Sequence, residues 1–369
     1  QLAKSFFYKA ACDREAFYCR LGAICRQGGA LESQARWQEL RVNLGRVRRA
    51  SLSTLTAANM PDTRSRRNRS AGRPKIMATR ISTRAFVVGC PRSGTTLLQS
   101  MLFAHPSIYS FPETHFFKVM FGIGEQVTLG QTPREIMRRL RLLAYKAMEP
   151  LGIVDNWRRA KAWGNMRTLP TFDAAAVSKL RTLHQNSEAF VKFVDAASSS
   201  ADSQIWIEKT PDHLFCIKKI QQYVPDAIFI HLIRNGPDTV ASLVDAGRRY
   251  PAIWGKDTPL LIELAVRRWN IALRESLKYR GDPRHYLVSY EDLVSEPTKV
   301  LIELCNFLGC EFDERMVQNF SEKTGELIRE IEAWKKETAG PIRNTKNTKF
   351  NKIFNREWQD YILSHIEQF

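Results

Sequence analysis

Residues 85–96 read AFVVGCPRSGTT: an apolar run ending in glycine, four intervening residues, a second glycine, then two threonines. A short apolar run closed by glycine is the pattern of a strand buried on both faces of a parallel sheet. The TTLLQSMLFA stretch that follows is helical in character and is broken at His105-Pro106. Glycines at both ends of the intervening loop let the backbone curl around an anion. The start of the next helix aims unpaired N–H groups and the positive end of its dipole at the same point. Strand, glycine-bounded loop and hydroxyl-bearing helix start together predict an anion site at Gly89–Thr96. Glycines that serve only the turn are the alternative.

The chain beyond this point continues the alternation. SQIWIE at 203–208, AIFIHLI at 227–233 and HYLVS at 285–289 are further strand candidates. His213–Tyr223, Pro237–Ala246, Pro259–Arg280 and Pro297–Leu308 are helix candidates. Strands alternating with helices predict an α/β fold: a P-loop-like parallel sheet flanked by helices, with right-handed crossovers. Residues 118–200 interrupt the alternation with mostly helical sequence, for instance Pro133–Met148, and predict a helical insertion over the active site, at the carboxyl edge of the sheet where such folds bind ligands. No apolar run approaches the roughly 18 residues of a helical membrane span.

Charge divides the chain. Of 369 residues, the first 80 carry 17 Lys+Arg against five Asp+Glu, while 81–369 carry 39 against 33. The bulk is therefore only mildly basic, which disfavours nucleic acid as a whole-surface partner and suits a small polyanionic ligand. Residues 1–80 are Arg-rich, and 51–80 have little apolar periodicity, so a basic, disordered extension to a domain at 81–369 is expected. An organelle transit peptide and translation upstream of a start at Met60 or Met77 are the other two readings. The seven cysteines form no CxxC pair and lack histidines at zinc-finger spacing, so reduced thiols and a cytoplasmic location are expected.

The loop departs from that of nucleoside triphosphatases. There, a lysine follows the second glycine and reaches the β/γ-phosphates, while a hydroxyl holds magnesium. Here Thr95 occupies the lysine position, the basic residue has moved into the loop as Arg92, and no clear acidic magnesium partner ends a following strand. A shorter, less charged nucleotide tail that needs no metal is expected.

These residues resemble a known family. Pro91-Arg92-Ser93-Gly94-Thr95-Thr96-Leu97-Leu98 is similar to the 5′-phosphosulfate loop of sulfotransferases that use 3′-phosphoadenosine-5′-phosphosulfate (PAPS). Ala104-His105-Pro106 with Pro112-Glu113-Thr114 resembles the branch that holds tyrosylprotein sulfotransferases and many bacterial-type enzymes. IHLIRNGPDTVAS at 230–242 is similar to the family's 3′-phosphate segment, and Ser289-Tyr290-Glu291-Asp292-Leu293 with Pro297 resembles its YEDL segment. The resemblance covers about 84–310.

The resemblance implies roles. Ser93, Gly94, Thr95 and Thr96 would take the 5′-phosphosulfate, and Arg234 with Ser242 the 3′-phosphate. Lys209, with Arg92, would stabilise charge on the departing bridging oxygen. Glu113 would be the base that takes the acceptor's proton, with His115 and His213 as rivals. The cytosolic RKGxxGDWK element is absent; Lys346, Lys349 and Lys352 precede a final amphipathic helix instead, and Lys349 is a candidate second ligand of the 3′-phosphate. Trp269 is a candidate ring-stacking residue, with core packing as its commoner fate.

The expected function is sulfuryl transfer from PAPS, without a metal, to a hydroxyl of a carbohydrate or small molecule. A magnesium-dependent nucleotide kinase and a non-catalytic nucleotide-binding adaptor are the alternatives. The acceptor would be read by 118–200 and 248–285, which carry no motif.

Overall fold

A computed structural model describes residues 80–122, 152–250, 259–328 and 348–369. The expected basic extension, Arg80 apart, lies outside the described residues, as do Pro133–Met148 and Lys346. Five strands form one sheet in the order β2-β3-β1-β4-β5, every pair parallel. They are β1 (Thr83–Gly89), β2 (Ile108–Ser110), β3 (Ile205–Lys209), β4 (Ala227–Ile233) and β5 (His285–Ser289). The four strands expected from sequence are all present. The three-residue β2 is an addition, too short between two X-Pro breaks to show alternation.

Side-chain alternation along β1 assigns the two layers of core. Ala85 and Val87 face Leu98, Met101 and Leu102 of α1 (Thr95–Phe103), together with Leu301 and Leu304 of α10, the helix over Pro297–Leu308. Phe86 and Val88 face the other way. Phe86 stacks on Phe229 at 5.4 Å between ring centroids and meets Trp206 edge-on at 5.4 Å. The same layer takes in Phe190 and Val194 of α5 (Leu183–Ser200), after α2 (Phe116–Met120), α3 (Asn156–Gly164) and α4 (Ala174–Ser178). Of the stretch expected to be a helical insertion, α5 packs on β2 and β3 and is the helix that returns the chain to the sheet. A capping box at Thr182 and Gln185 starts it.

Helix α6 (Ile217–Tyr223) is preceded by a 3₁₀ turn over Pro211–Cys216, so the expected helix from His213 begins tightly wound. Helix α7 (Gly236–Arg249) follows β4 and packs on α8 (Pro259–Leu277) and on α13 (Thr348–Ile353). A short helix α9 (Tyr290–Ser295) leaves β5 directly, capped by the Ser289 hydroxyl, and the chain reaches α13 by way of α10, α11 (Arg315–Gln318) and α12 (Phe320–Leu327). It ends in α14 (Arg356–His365). Among the described residues no helix is long and apolar enough to cross a membrane.

Strand β1 is the switch point of the topology: the connection after it runs to one side of the sheet and the later strands β4 and β5 lie on the other. Open parallel sheets bind ligands at the carboxyl ends of their strands at such a point. Three segments meet there: the loop after β1, the end of β3 at Lys209, and the end of β4 at Arg234.

Candidate active site

The loop after β1 is shaped by backbone that side chains tolerate poorly. Gly89 and Gly94 have φ of 154° and 98°, and Arg92 has φ of 72°. A Cβ on Gly94 would lie 2.5 Å from the Tyr290 ring, and one on Gly89 would lie 2.5 Å from the Leu232 carbonyl. Both glycines are therefore fixed by close approach as well as by conformation. Gly94 caps α1, with no side-chain hydrogen bond to the first N–H groups, and no acidic side chain sits in the first turn. The buried Ser93 hydroxyl has no hydrogen-bond partner among the described residues.

Lys209, the last residue of β3, is 2 % exposed. Strand alternation puts it on the α1 side of the sheet, where its Nζ donates to Thr96 Oγ1 at 3.3 Å and to Glu113 Oε2 at 3.0 Å. Glu113 is 7 % exposed and lies in the segment that joins β2 to α2. The expected base, the expected cation and the anion loop thus meet at one point, although 96 residues separate Glu113 from Lys209.

The two rival histidines separate. His115 Nδ1 is 3.7 Å from Glu113 Oε1, and its backbone is left-handed at φ 53°. Burial pulls the His115 imidazole below its ordinary range, against the opposing pull of Glu113. His213 is fully buried between Phe86 and Phe117, on the other side of the sheet from Lys209. Its Nδ1 is 2.8 Å from Glu208 Oε2, so the structure does not bring it to the site.

At the end of β4, Arg234 lies over the Tyr290 ring, its guanidinium carbon 4.5 Å from the centroid, and its Nη2 is 3.7 Å from Asp238. Arg234 Nε is buried and has no hydrogen-bond partner among the described residues. Arg92 Nε donates to Ser242 Oγ at 3.2 Å, which joins the first loop to the helix that follows β4. Lys349 of α13 donates to Asp245 at 2.8 Å, one helical turn beyond Ser242. Trp269 is a core residue whose indole N–H donates to the Arg234 carbonyl at 3.0 Å, so it braces the strand end and is not a surface ring.

Sequence reasoning missed three features. Tyr290 packs against both Gly94 and Arg234, while Glu291 accepts from the Asn235 backbone N–H at 3.1 Å and its side-chain amide at 2.6 Å. The YEDL segment was the available signal. Asp212 is buried between Lys118 and Arg268, and these cations outweigh the cost of burial and hold its carboxyl down to about 2. Glu208, beside Lys209, is wholly buried and no motif marked it.

Residues 84–314 match the model of the sulfotransferase family, and the chain belongs to that family. A Caenorhabditis briggsae relative provisionally named a protein-tyrosine sulfotransferase is 25% identical over 268 residues, covering 72% of this chain and 78% of the relative. Protein-tyrosine sulfotransferase A of Caenorhabditis elegans is 23% identical over 244 residues, 65% of this chain and 53% of the relative, so the match spans about half of that protein. Among solved structures, the sulfotransferase domain of the Synechococcus PCC 7002 olefin synthase is 22% identical, covers 79% of this chain and 96% of that one, and has a TM-score of 0.47.

Proposed function

We propose that the protein transfers a sulfuryl group from PAPS to an acceptor hydroxyl, and that the acceptor is a phenol of the tyrosyl kind. The observation that carries the reading is the meeting of Lys209, Thr96 and Glu113 beside the loop at the carboxyl edge of β1.

The residues present suit the donor. A buried hydroxyl on Ser93 and a buried N–H on Arg234 have no partner among the described residues, and leaving such groups unpaired costs about 1–3 kcal/mol each. Two anionic groups would meet both needs. Ser93, Gly94, Thr95 and Thr96 would hold the 5′-phosphosulfate at the start of α1. Arg234, Ser242 and Arg92 would hold the 3′-phosphate; the Arg92–Ser242 hydrogen bond favours this place for Arg92 over the bridging oxygen. Lys349 would join them only by exchanging Asp245 for phosphate. When bound, the donor supplies an electrophilic sulfur joined to a phosphate leaving group.

Lys209 is a fixed, buried cation where the leaving oxygen gains charge, and a cation is worth most where charge develops in a dry site. The same ammonium donates to Glu113, whose carboxylate would take the acceptor's proton. A carboxylate is a weak base, so it matches a phenol, with a pKa near 10, better than an aliphatic hydroxyl. This argument and the names of the relatives support a tyrosyl acceptor over the carbohydrate or small molecule expected from sequence.

Calorimetry tests the nucleotide half of the reading. Adenosine 3′,5′-bisphosphate is expected to bind at least tenfold more tightly than adenosine 5′-monophosphate, since a charge-assisted hydrogen bond contributes about 1.5–3 kcal/mol. Arg234→Ala is expected to erase most of that difference. Equal affinity for the two nucleotides in the native protein would refute the 3′-phosphate assignment.

A further inference from the structure

Glu208 is a carboxylate with no exposure to solvent, on the sheet face of Phe86 and Trp206, where an unpaired charge would be severely destabilising. Its partners explain its presence. Oε1 accepts from Thr114 Oγ1 at 2.6 Å, from Thr210 Oγ1 at 2.7 Å and, more weakly, from the Thr114 backbone N–H at 3.4 Å. Oε2 faces His213 Nδ1 at 2.8 Å. The Thr210 hydroxyl in turn accepts from the His115 backbone N–H at 3.1 Å. Burial raises the carboxyl's affinity for a proton, but His213 and the two threonines outweigh it and hold Glu208 below its ordinary range.

These bonds span the two segments that carry the proposed chemistry. Thr114 and His115 follow Glu113 in the segment after β2; Glu208 and Thr210 flank Lys209 at the end of β3. Past Ser110 that segment has no strand partner, and Glu113 is placed by side-chain bonds to its neighbours. Gln99 donates to the Phe111 carbonyl at 2.8 Å on one side, and Asn165 donates to the Thr114 carbonyl at 2.8 Å on the other. Successive residues on a strand point to opposite faces, so Glu208 works from behind the sheet while Lys209 faces the loop.

We propose that Glu208 is a positioning residue: through Thr114 and Thr210 it fastens the 112–115 segment to the end of β3 and so sets the Glu113–Lys209 contact. The inference rests on the sulfotransferase reading for its kinetic consequence, but not for its structural one. A carboxylate displaced by 1 Å from a proton it must take is far less effective, so the contact at 3.0 Å is the quantity that Glu208 protects.

The test uses Thr114→Val, which removes the hydroxyl at constant shape and adds no buried charge, with Thr114→Ser as the conservative variant. Hydrogen exchange across 111–116 is expected to quicken at least tenfold in Thr114→Val while β1 and β4 keep native rates. Turnover of PAPS with phenol is expected to fall at least tenfold, with the affinity for adenosine 3′,5′-bisphosphate unchanged within twofold. Thr114→Ser is expected to restore both, and Glu208→Gln to reproduce the Thr114→Val pattern in part. Native exchange rates across 111–116 in Thr114→Val would overturn the proposal, and so would faster exchange with undiminished turnover. A native protein that ignores the bisphosphate would defeat the sulfotransferase reading alone, because the exchange result still decides whether Glu208 fastens the segment.

Discussion

At the residue scale the account turns on a buried ion pair. Lys209 and Glu113 are 3.0 Å apart, and both are buried. Such a pair is weak evidence for stability; its place beside the anion loop is what points to chemistry. Glu113→Gln keeps size and hydrogen bonding but removes the basic oxygen. Turnover is expected to fall by about 10²–10⁴-fold in single-turnover kinetics, with nucleotide affinity nearly native. A Glu113→Gln enzyme of native turnover, beside an inactive His115→Ala, would move the base to His115, whose Nδ1 lies 3.7 Å away.

At the scale of elements, two features show how strand ends are held. The turn from β1 into α1 depends on Gly94, whose φ of 98° and 2.5 Å clearance from the Tyr290 ring leave no room for a methyl group. Gly94→Ala is expected to lose about 1–3 kcal/mol in urea unfolding and to weaken nucleotide binding at least tenfold, since Tyr290 also carries Arg234. Native stability and affinity in that variant would show that the turn is more pliable than its geometry implies. Between β4 and the edge strand β5, His231 Nε2 and His285 Nδ1 are 2.9 Å apart. Burial lowers them to about 3 and about 4, each by desolvation first. In the unfolded chain both titrate near 6.5, so between about pH 6.5 and 4 the unfolded state binds more protons and stability falls as pH falls. Urea midpoints are expected to drop from pH 7 to pH 5, with a shallower slope in His231→Gln. A midpoint independent of pH over that range would contradict the buried neutral pair.

At the scale of the whole molecule, what was legible in sequence was local. AFVVG and AIFIHLI announced their strands because a strand covered on both faces reads as a largely apolar run, and PRSGTT announced its loop because glycines must sit where the backbone turns. Glu208 and Asp212 were silent for the opposite reason. Their meaning lies in partners far along the chain, such as Thr114, 94 residues before Glu208, and no spacing rule links them. His213 was misleading because a histidine two residues past a Thr-Pro turn looks available until the turn buries it between Phe86 and Phe117.

The central claim is that this assembly transfers sulfur and not phosphorus. The chain has Thr95 where a nucleotide kinase needs its phosphate-binding lysine, and that difference should appear in the product. The decisive measurement offers the protein sulfur-labelled PAPS and γ-phosphorus-labelled ATP in parallel, each with a tyrosyl peptide, phenol and a disaccharide, with excess chelator and with magnesium. The expected result is sulfur label in the tyrosyl peptide and in phenol, undiminished by chelator, and no label from ATP in any acceptor. Phosphorus label that requires magnesium, with no transfer from PAPS, would contradict the account.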